Sequence, residues 1–293
     1  MQQQLRLGIA GSRPKTLPAA VVPVAVGFAL VVARPDGSLG LPLNSFLALV
    51  VSVALQVGVN YANDYSDGVK GTDARRVGPL RLVGSGAMPA AAVKRAAFGS
   101  FLVAAVAGLA IAATTSWWLV VVGVASIVAA WTYTGGPSPY GYSGFGELFV
   151  FVFFGVVATV GTTFAVGESI RGVDVVASCV VGFLAVSLLI VNNLRDIPTD
   201  TESGKQTLAV RIGDRGTRAL YLLVCLAALV GVCVVAVTYR WAAVGVVGFV
   251  FSWDPVRRIR ARAVGAELIP VLGRTARVQL VVGMLLAFGL IVS

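Results

Sequence analysis

Residues 173–200 read VDVVASCVVGFLAVSLLIVNNLRDIPTD. From Val175 to Val191 there is no acidic or basic side chain, and the run is long enough to cross a hydrocarbon layer about 30 Å thick as a helix. Asn192, Asn193, Arg195, Asp196 and Asp200 then follow in quick succession, with Glu202 and Lys205 just beyond. A membrane span that ends in such a cluster puts chemistry at the lipid boundary. The stretch NYANDYSDGVKGTD at 60–73 closes an earlier apolar run in the same way, again with Asn, Asp, a second Asp and then Lys. Asn60, Asn63, Asp64 and Asp67 are spaced by threes and fours, which keeps them on one helix face; Asn192, Asp196 and Asp200 recur at steps of four. Pro198 is expected to bend or restart the second of these helices.

The whole chain has the composition of that run. Of its 293 residues, 57% are hydrophobic and 12% charged, about half the charge of an ordinary soluble domain. Mean hydropathy is +0.89. This predicts an all-α polytopic membrane protein with no separate soluble domain. Nine spans are expected, at 17–33, 43–63, 95–113, 117–134, 147–166, 173–193, 219–238, 241–253 and 276–293. The eighth is short and runs into arginines. Basic residues set the orientation. With the N-terminus cytoplasmic, 20 of the 23 Lys and Arg fall on the cytoplasmic side, leaving Arg34, Arg171 and Arg240 on the other. Topogenic anchoring therefore accounts for the net charge of +10 without nucleic acid. The expected location is the cell membrane, with both acidic clusters facing the cytoplasm. Cys179, Cys225 and Cys233 all lie in expected spans and read as packing residues; histidine is absent.

The two signatures lie 132 residues apart, Asp64 to Asp196, at equivalent places in two sets of four spans. The chain thus reads as one transmembrane domain, 1–293, built from related sets at roughly 17–134 and 147–253 plus a final helix at 276–293. One such loop alone would pass for a solvated helix end whose acids balance topogenic bases; two matched loops argue against that. Asp64, Asp67, Asp196 and Asp200 brought together could not all stay ionised at a lipid boundary without cations. Their hard oxygens favour magnesium or calcium, and magnesium completes its shell with water and phosphate oxygens. Lys70, Arg81, Arg195 and Lys205 beside them suit a diphosphate. Acids and bases at the mouth of a greasy bundle fit a diphosphate carried on a hydrocarbon chain, with the membrane lipids around it.

NDYSDGVKGTD and DIPTD resemble the two aspartate-rich motifs of the UbiA-type intramembrane aromatic prenyltransferases. The longer strings RPKTLPAAVVPVAVG (13–27), GPLRLVGSG (78–86), YTGGPSPYGYSGFGELFVF (133–151) and NNLRDIPTDTESGKQTLAVRIG (192–213) are most similar to the menaquinone branch of that family, which prenylates 1,4-dihydroxy-2-naphthoate. The resemblance implies nine helices around a cavity open to the cytoplasm and sideways to lipid. It also implies Mg2+ held by Asp64, Asp67, Asp196 and Asp200, and polyprenyl diphosphate as donor. The superfamily pattern places a third Asp where this chain has Gly71; Asp73, two residues on, is left as a further possible ligand. Asn63, Lys70, Arg81, Asn192, Arg195 and Lys205 are expected around the diphosphate.

In YTGGPSPYGYSGFGE, Tyr133, Tyr140 and Tyr142 are candidates to contact the aromatic acceptor, with Glu147 orienting a hydroxyl; the alternative is a tight turn with interfacial tyrosines. GPLRLVGSG has glycines that let backbone approach a phosphate but no Walker lysine. Arg13 and Lys15 flank the first span, where they serve as anchors or reach the site mouth. A 4-hydroxybenzoate enzyme is the nearest alternative, and a lipid or quinone transporter the alternative of another class. Against the transporter, no Asp, Glu, Lys or Arg lies near the centre of any expected span.

Overall fold

The computed structural model describes residues 2–35, 40–72 and 80–293, and all its regular structure is helical. Among the described residues, six helices are long and apolar enough to cross a membrane. In chain order the helices are α1 (Gln2–Ser12), α2 (Pro18–Val32), α3 (Pro42–Lys70), α4 (Ala90–Thr114), α5 (Trp118–Thr132), α6 (Gly146–Gly167), α7 (Gly172–Glu202), α8 (Leu208–Thr238), α9 (Trp253–Arg260) and α10 (Leu268–Ile291).

The six long ones, α3, α4, α6, α7, α8 and α10, coincide with expected spans. The other three expected spans differ. The first is the 15-residue α2, bent by 54° from the segment before it. The fourth is α5, also 15 residues, about 22 Å of helix and shorter than the hydrocarbon layer. The eighth is a run of short turns, Arg240–Ala243, Val244–Val247 and Gly248–Ser252, leading into α9. Close approach to α10 explains that break. A Cβ on Gly248 would lie 2.8 Å from Val282, and one on Gly289 would collide with the Trp241 carbonyl.

The core lies between α2, α7, α8 and α10, where Val22, Val26, Leu30, Val180, Leu184, Val232, Val282 and Leu286 are buried together. α7 is the central element. α6 meets it through Gly155 and Gly182, where a Cβ on Gly155 would strike the Gly182 backbone. That contact lies in a π-helical stretch, Phe151–Val157, a distortion that tends to accompany functional sites. Apolar side chains such as Leu102 and Val106 on α4, and Leu223, Leu226 and Val230 on α8, face outward, as lipid contact requires. The helix does not restart at Pro198: α7 is one helix to Glu202. Its last turn is held by Ser203 N–H donating to the Thr199 carbonyl and by the Thr199 hydroxyl donating to the Asp196 carbonyl.

Arg34, assigned from sequence to topogenic anchoring, is buried. Its Nη1 donates to the Gly167 carbonyl at 2.7 Å and its Nη2 to the Ser169 carbonyl at 2.8 Å, beside the fully buried Asp174. It clamps the end of α2 to the α6–α7 turn.

Candidate active site

The last turns of α3 carry a polar stripe into the bundle: Gln56, Asn60, Asn63, Asp64 and Asp67. Gln56 and Asn60 line the central cavity, but their amides are engaged within the protein. Their amides donate to the Thr16 hydroxyl at 3.0 Å each, and Asn60 also donates to the Ser12 carbonyl at 2.9 Å. These bonds fix the bend between α1 and α2. Arg13 sits at that bend with φ +52°, a left-handed conformation uncommon outside glycine, and its side chain lines the central cavity.

Asp64 is fully buried. Its Oδ2 accepts the Leu82 N–H and its Oδ1 the Val83 N–H, both at 2.9 Å. Asp64 therefore grips the loop that carries Arg81, and it does not line the cavity. The same loop packs against Gly68, where a Cβ would lie 2.6 Å from the Val83 side chain. Arg81 is thereby set 3.6 Å from Asp67 Oδ2.

Asp67 is the meeting point. Its Oδ1 accepts the Tyr142 hydroxyl at 2.5 Å and the Lys205 ammonium at 3.2 Å. Lys205 also lies 3.8 Å from Asp200 Oδ1, linking the two acidic signatures. The Tyr142 ring lies under both Lys70 and Lys205, 4.9 and 4.5 Å from its centroid. Tyr142, expected at the acceptor, thus orders the two lysine ammonium groups beside Asp67.

On α7, Arg195 forks onto Asp196 through Nε at 2.7 Å and Nη2 at 2.8 Å, and Nη2 also reaches Asn192 Oδ1. Arg195 is buried behind Asp196 and does not line the cavity. Lys70 is likewise turned aside, its ammonium bound to the Thr134 and Gly136 carbonyls. Neither meets the cavity as the sequence reading expected: the acid or carbonyl groups nearest each along the fold claim their charge. Asn63 accepts the Thr134 hydroxyl. Asp73 lies outside the described residues.

The cavity runs from these polar groups to Ala48, Ile111, Leu119 and Ala165. About 28 Å of helix separates Asp67 from Ala48 on α3, close to the thickness of the hydrocarbon layer. Asn63, Asp67, Arg81, Asn192, Asp196, Asp200 and Lys205 line its polar end, with Tyr133, Tyr140 and Tyr142. Tyr140 donates to the Ala129 carbonyl and stacks on Phe149 at 3.9 Å. Burial pushes its phenol above the ordinary range, so it remains a neutral hydroxyl. Glu147 lies behind this wall, accepting Asn193 Nδ2 at 2.9 Å. Asn193, which sequence reasoning passed over, is the partner that reaches the cavity; its only signal was adjacency to Asn192.

Among the described residues no three acidic side chains converge on one point as a ready-made metal centre. The donor set still fits magnesium: Asp67, Asp196 and Asp200 share one cavity, and magnesium takes one or two carboxylates with substrate phosphates.

The family model described as "UbiA prenyltransferase family" matches residues 20–263. The chain is 46% identical to the 1,4-dihydroxy-2-naphthoate octaprenyltransferase of Mycobacterium leprae, covering 93% of this chain and 92% of that one. It is 45% identical to the enzyme of the same name from Mycobacterium tuberculosis, over 96% and 97%. The solved structure of a UbiA homolog from Archaeoglobus fulgidus bound to GPP and Mg2+ superposes with a TM-score of 0.67 at 14% identity, covering 98% of this chain and 99% of that one. At that identity the likeness shows the fold.

Proposed function

Since the chain belongs to the UbiA prenyltransferase family, we propose that it transfers a polyprenyl group from polyprenyl diphosphate to 1,4-dihydroxy-2-naphthoate. Carbon dioxide and diphosphate are released, and the product is the hydroquinone demethylmenaquinol, the reduced form of the demethylmenaquinone precursor of menaquinone. The observation that carries this reading is the near full-length identity of 45–46% to enzymes of that name, joined to a cavity with acids and bases at one end and hydrocarbon-lined walls beyond.

The residues divide the work along the cavity. Arg81 and Lys205 bind the phosphate oxygens, with Arg13 at the rim. Asp67, Asp196 and Asp200 would hold Mg2+, which supplies the Lewis acidity that makes diphosphate a leaving group. The apolar walls take the prenyl chain and keep water from the allylic cation. Tyr133, Tyr140 and Asn193, the last oriented by Glu147, face the acceptor. The ring attacks through the carbon that bears the carboxylate. Loss of carbon dioxide then restores aromaticity, so no side chain must remove a ring proton, consistent with a site built without histidine.

Purified protein should release diphosphate only when both a divalent cation and the aromatic acid are present; release that ignores the acid would point to a carrier or sensor. In competition between 1,4-dihydroxy-2-naphthoate and 4-hydroxybenzoate with one polyprenyl diphosphate, labelled carboxyl carbon should leave as carbon dioxide. Prenylated 4-hydroxybenzoate as main product, with its label retained, would reassign the acceptor.

The six long helices, α2 with its bent lead-in, α5 and the broken run into α9 make nine crossings in this reading, in one domain of two related sets. The N-terminus and the acidic end face the cytoplasm, because the bases concentrate there. Single cysteines at Ser85 and Ser203, in a background lacking Cys179, Cys225 and Cys233, should react with impermeant reagents only after the inner face is exposed. Labelling from outside intact cells would invert the topology.

A further inference from the structure

Lys205 occupies an unusual position for a phosphate-binding lysine. Its ammonium is 3.2 Å from Asp67 Oδ1 and 3.8 Å from Asp200 Oδ1, so it already bridges one acid from each signature. Its side chain is 11% exposed, and the Tyr142 ring closes it in from one side. The same Asp67 oxygen takes the Tyr142 hydroxyl. The other cations of the site are placed differently. Lys70 is bound to carbonyls, Arg195 is forked onto Asp196, and Arg81 approaches Asp67 from its other oxygen.

We propose that Lys205 is a place-holder: in the substrate-free enzyme its ammonium bridges Asp67 and Asp200 where a divalent cation would otherwise lie, and it moves to a phosphate oxygen when diphosphate enters. Metal and diphosphate therefore bind as mutually dependent ligands, and a divalent cation alone binds poorly. The inference rests on the assignment of this site to metal and diphosphate made above.

Metal and ammonium exclude one another here. Mg2+ holds its oxygens at about 2.0–2.1 Å, so a cation shared by Asp67 and Asp200 would have to take up the space between their oxygens that the ammonium fills. Two cations of combined charge three within a few ångströms repel strongly even at the effective dielectric of a protein site. The ammonium must therefore leave first, and it needs an acceptor to leave for. A diphosphate oxygen is one; bulk water at the lipid boundary is a poorer one.

The local backbone suits a side-chain swing. Gly204 has φ +75°, ending α7 in a left-handed turn. Lys205 N–H then donates to the Asp200 carbonyl at 2.9 Å and Gln206 N–H to the Tyr142 carbonyl at 2.8 Å. The main chain is pinned at both residues, whereas the four-carbon stem of lysine is free to re-aim a compact charge.

The test is Mn2+ binding to the purified full chain, followed by electron paramagnetic resonance with and without inorganic pyrophosphate. In the wild type, pyrophosphate should tighten Mn2+ by about tenfold or more. Lys205→Met and Lys205→Gln should each bind Mn2+ alone about tenfold or more tighter than wild type, with the pyrophosphate effect reduced. Lys205→Arg, which keeps the charge, should resemble wild type. Mn2+ affinity that is unchanged or weaker in the folded Met and Gln variants would overturn the proposal. So would wild-type protein that binds Mn2+ equally well with and without pyrophosphate, a measurement that needs no variant. A wild type that binds no Mn2+ under either condition would instead overturn the underlying metal–diphosphate assignment.

Discussion

Asp67→Asn is expected to slow prenyl transfer by at least about a hundredfold while leaving the protein folded. Asparagine fills the same space but removes the charge on which Tyr142, Lys205 and Arg81 converge. Arg81 and Lys205 then lose the group that spaces them, and one acidic donor is lost from a set with no histidine to replace it. Asp196→Asn should fall as far, but it also strips the charge partner from the buried Arg195; leaving a buried charge uncompensated costs about 3–5 kcal/mol of stability. Asp67 is thus the cleaner probe. Initial rates at saturating substrates, with and without chelator, check both. Near-normal turnover in folded Asp67→Asn protein would remove this carboxylate from the chemistry.

Asp64 should be equally sensitive for a different reason. Its two oxygens accept the buried Leu82 N–H and the part-buried Val83 N–H. In Asp64→Ala both lose their acceptor, at about 1–3 kcal/mol each, which is enough to release the loop holding Arg81. Turnover should drop about a hundredfold, and hydrogen exchange at the Leu82 and Val83 amides should accelerate together with it. Asp64→Asn keeps one carbonyl oxygen and should fall between the wild type and the alanine variant in both measurements. Equal rate loss in the two variants with unchanged amide protection would make Asp64 a direct ligand, as its spacing and the resemblance both led one to expect.

The contrast between Asp64 and Asp67 marks where sequence reading stops. Both belong to one motif and one helix face, and spacing alone treats them alike. What separates them is which backbone arrives from 18 residues further along to meet Asp64, and which side chains arrive from 75 and 138 residues away to meet Asp67. Lys70 and Lys205 read as equivalent bases beside equivalent acids. One is spent on carbonyls and the other spans the two signatures.

Hydropathy alone determined the membrane class, the six long helices and the placement of both acidic clusters at helix ends, because burial in lipid is a property of each segment and its 3.6-residue period. The break at 240–252, the unbroken passage through Pro198 and the inward Arg34 required the tertiary structure, because each is set by the element packed against it: α10 through Gly248 and Gly289, the bonded last turn of α7, and the buried Asp174. The same holds for the site. Local sequence specifies which charges lie near the boundary, but a charge interacts over a few ångströms through space, and only the fold decides which charges come that close.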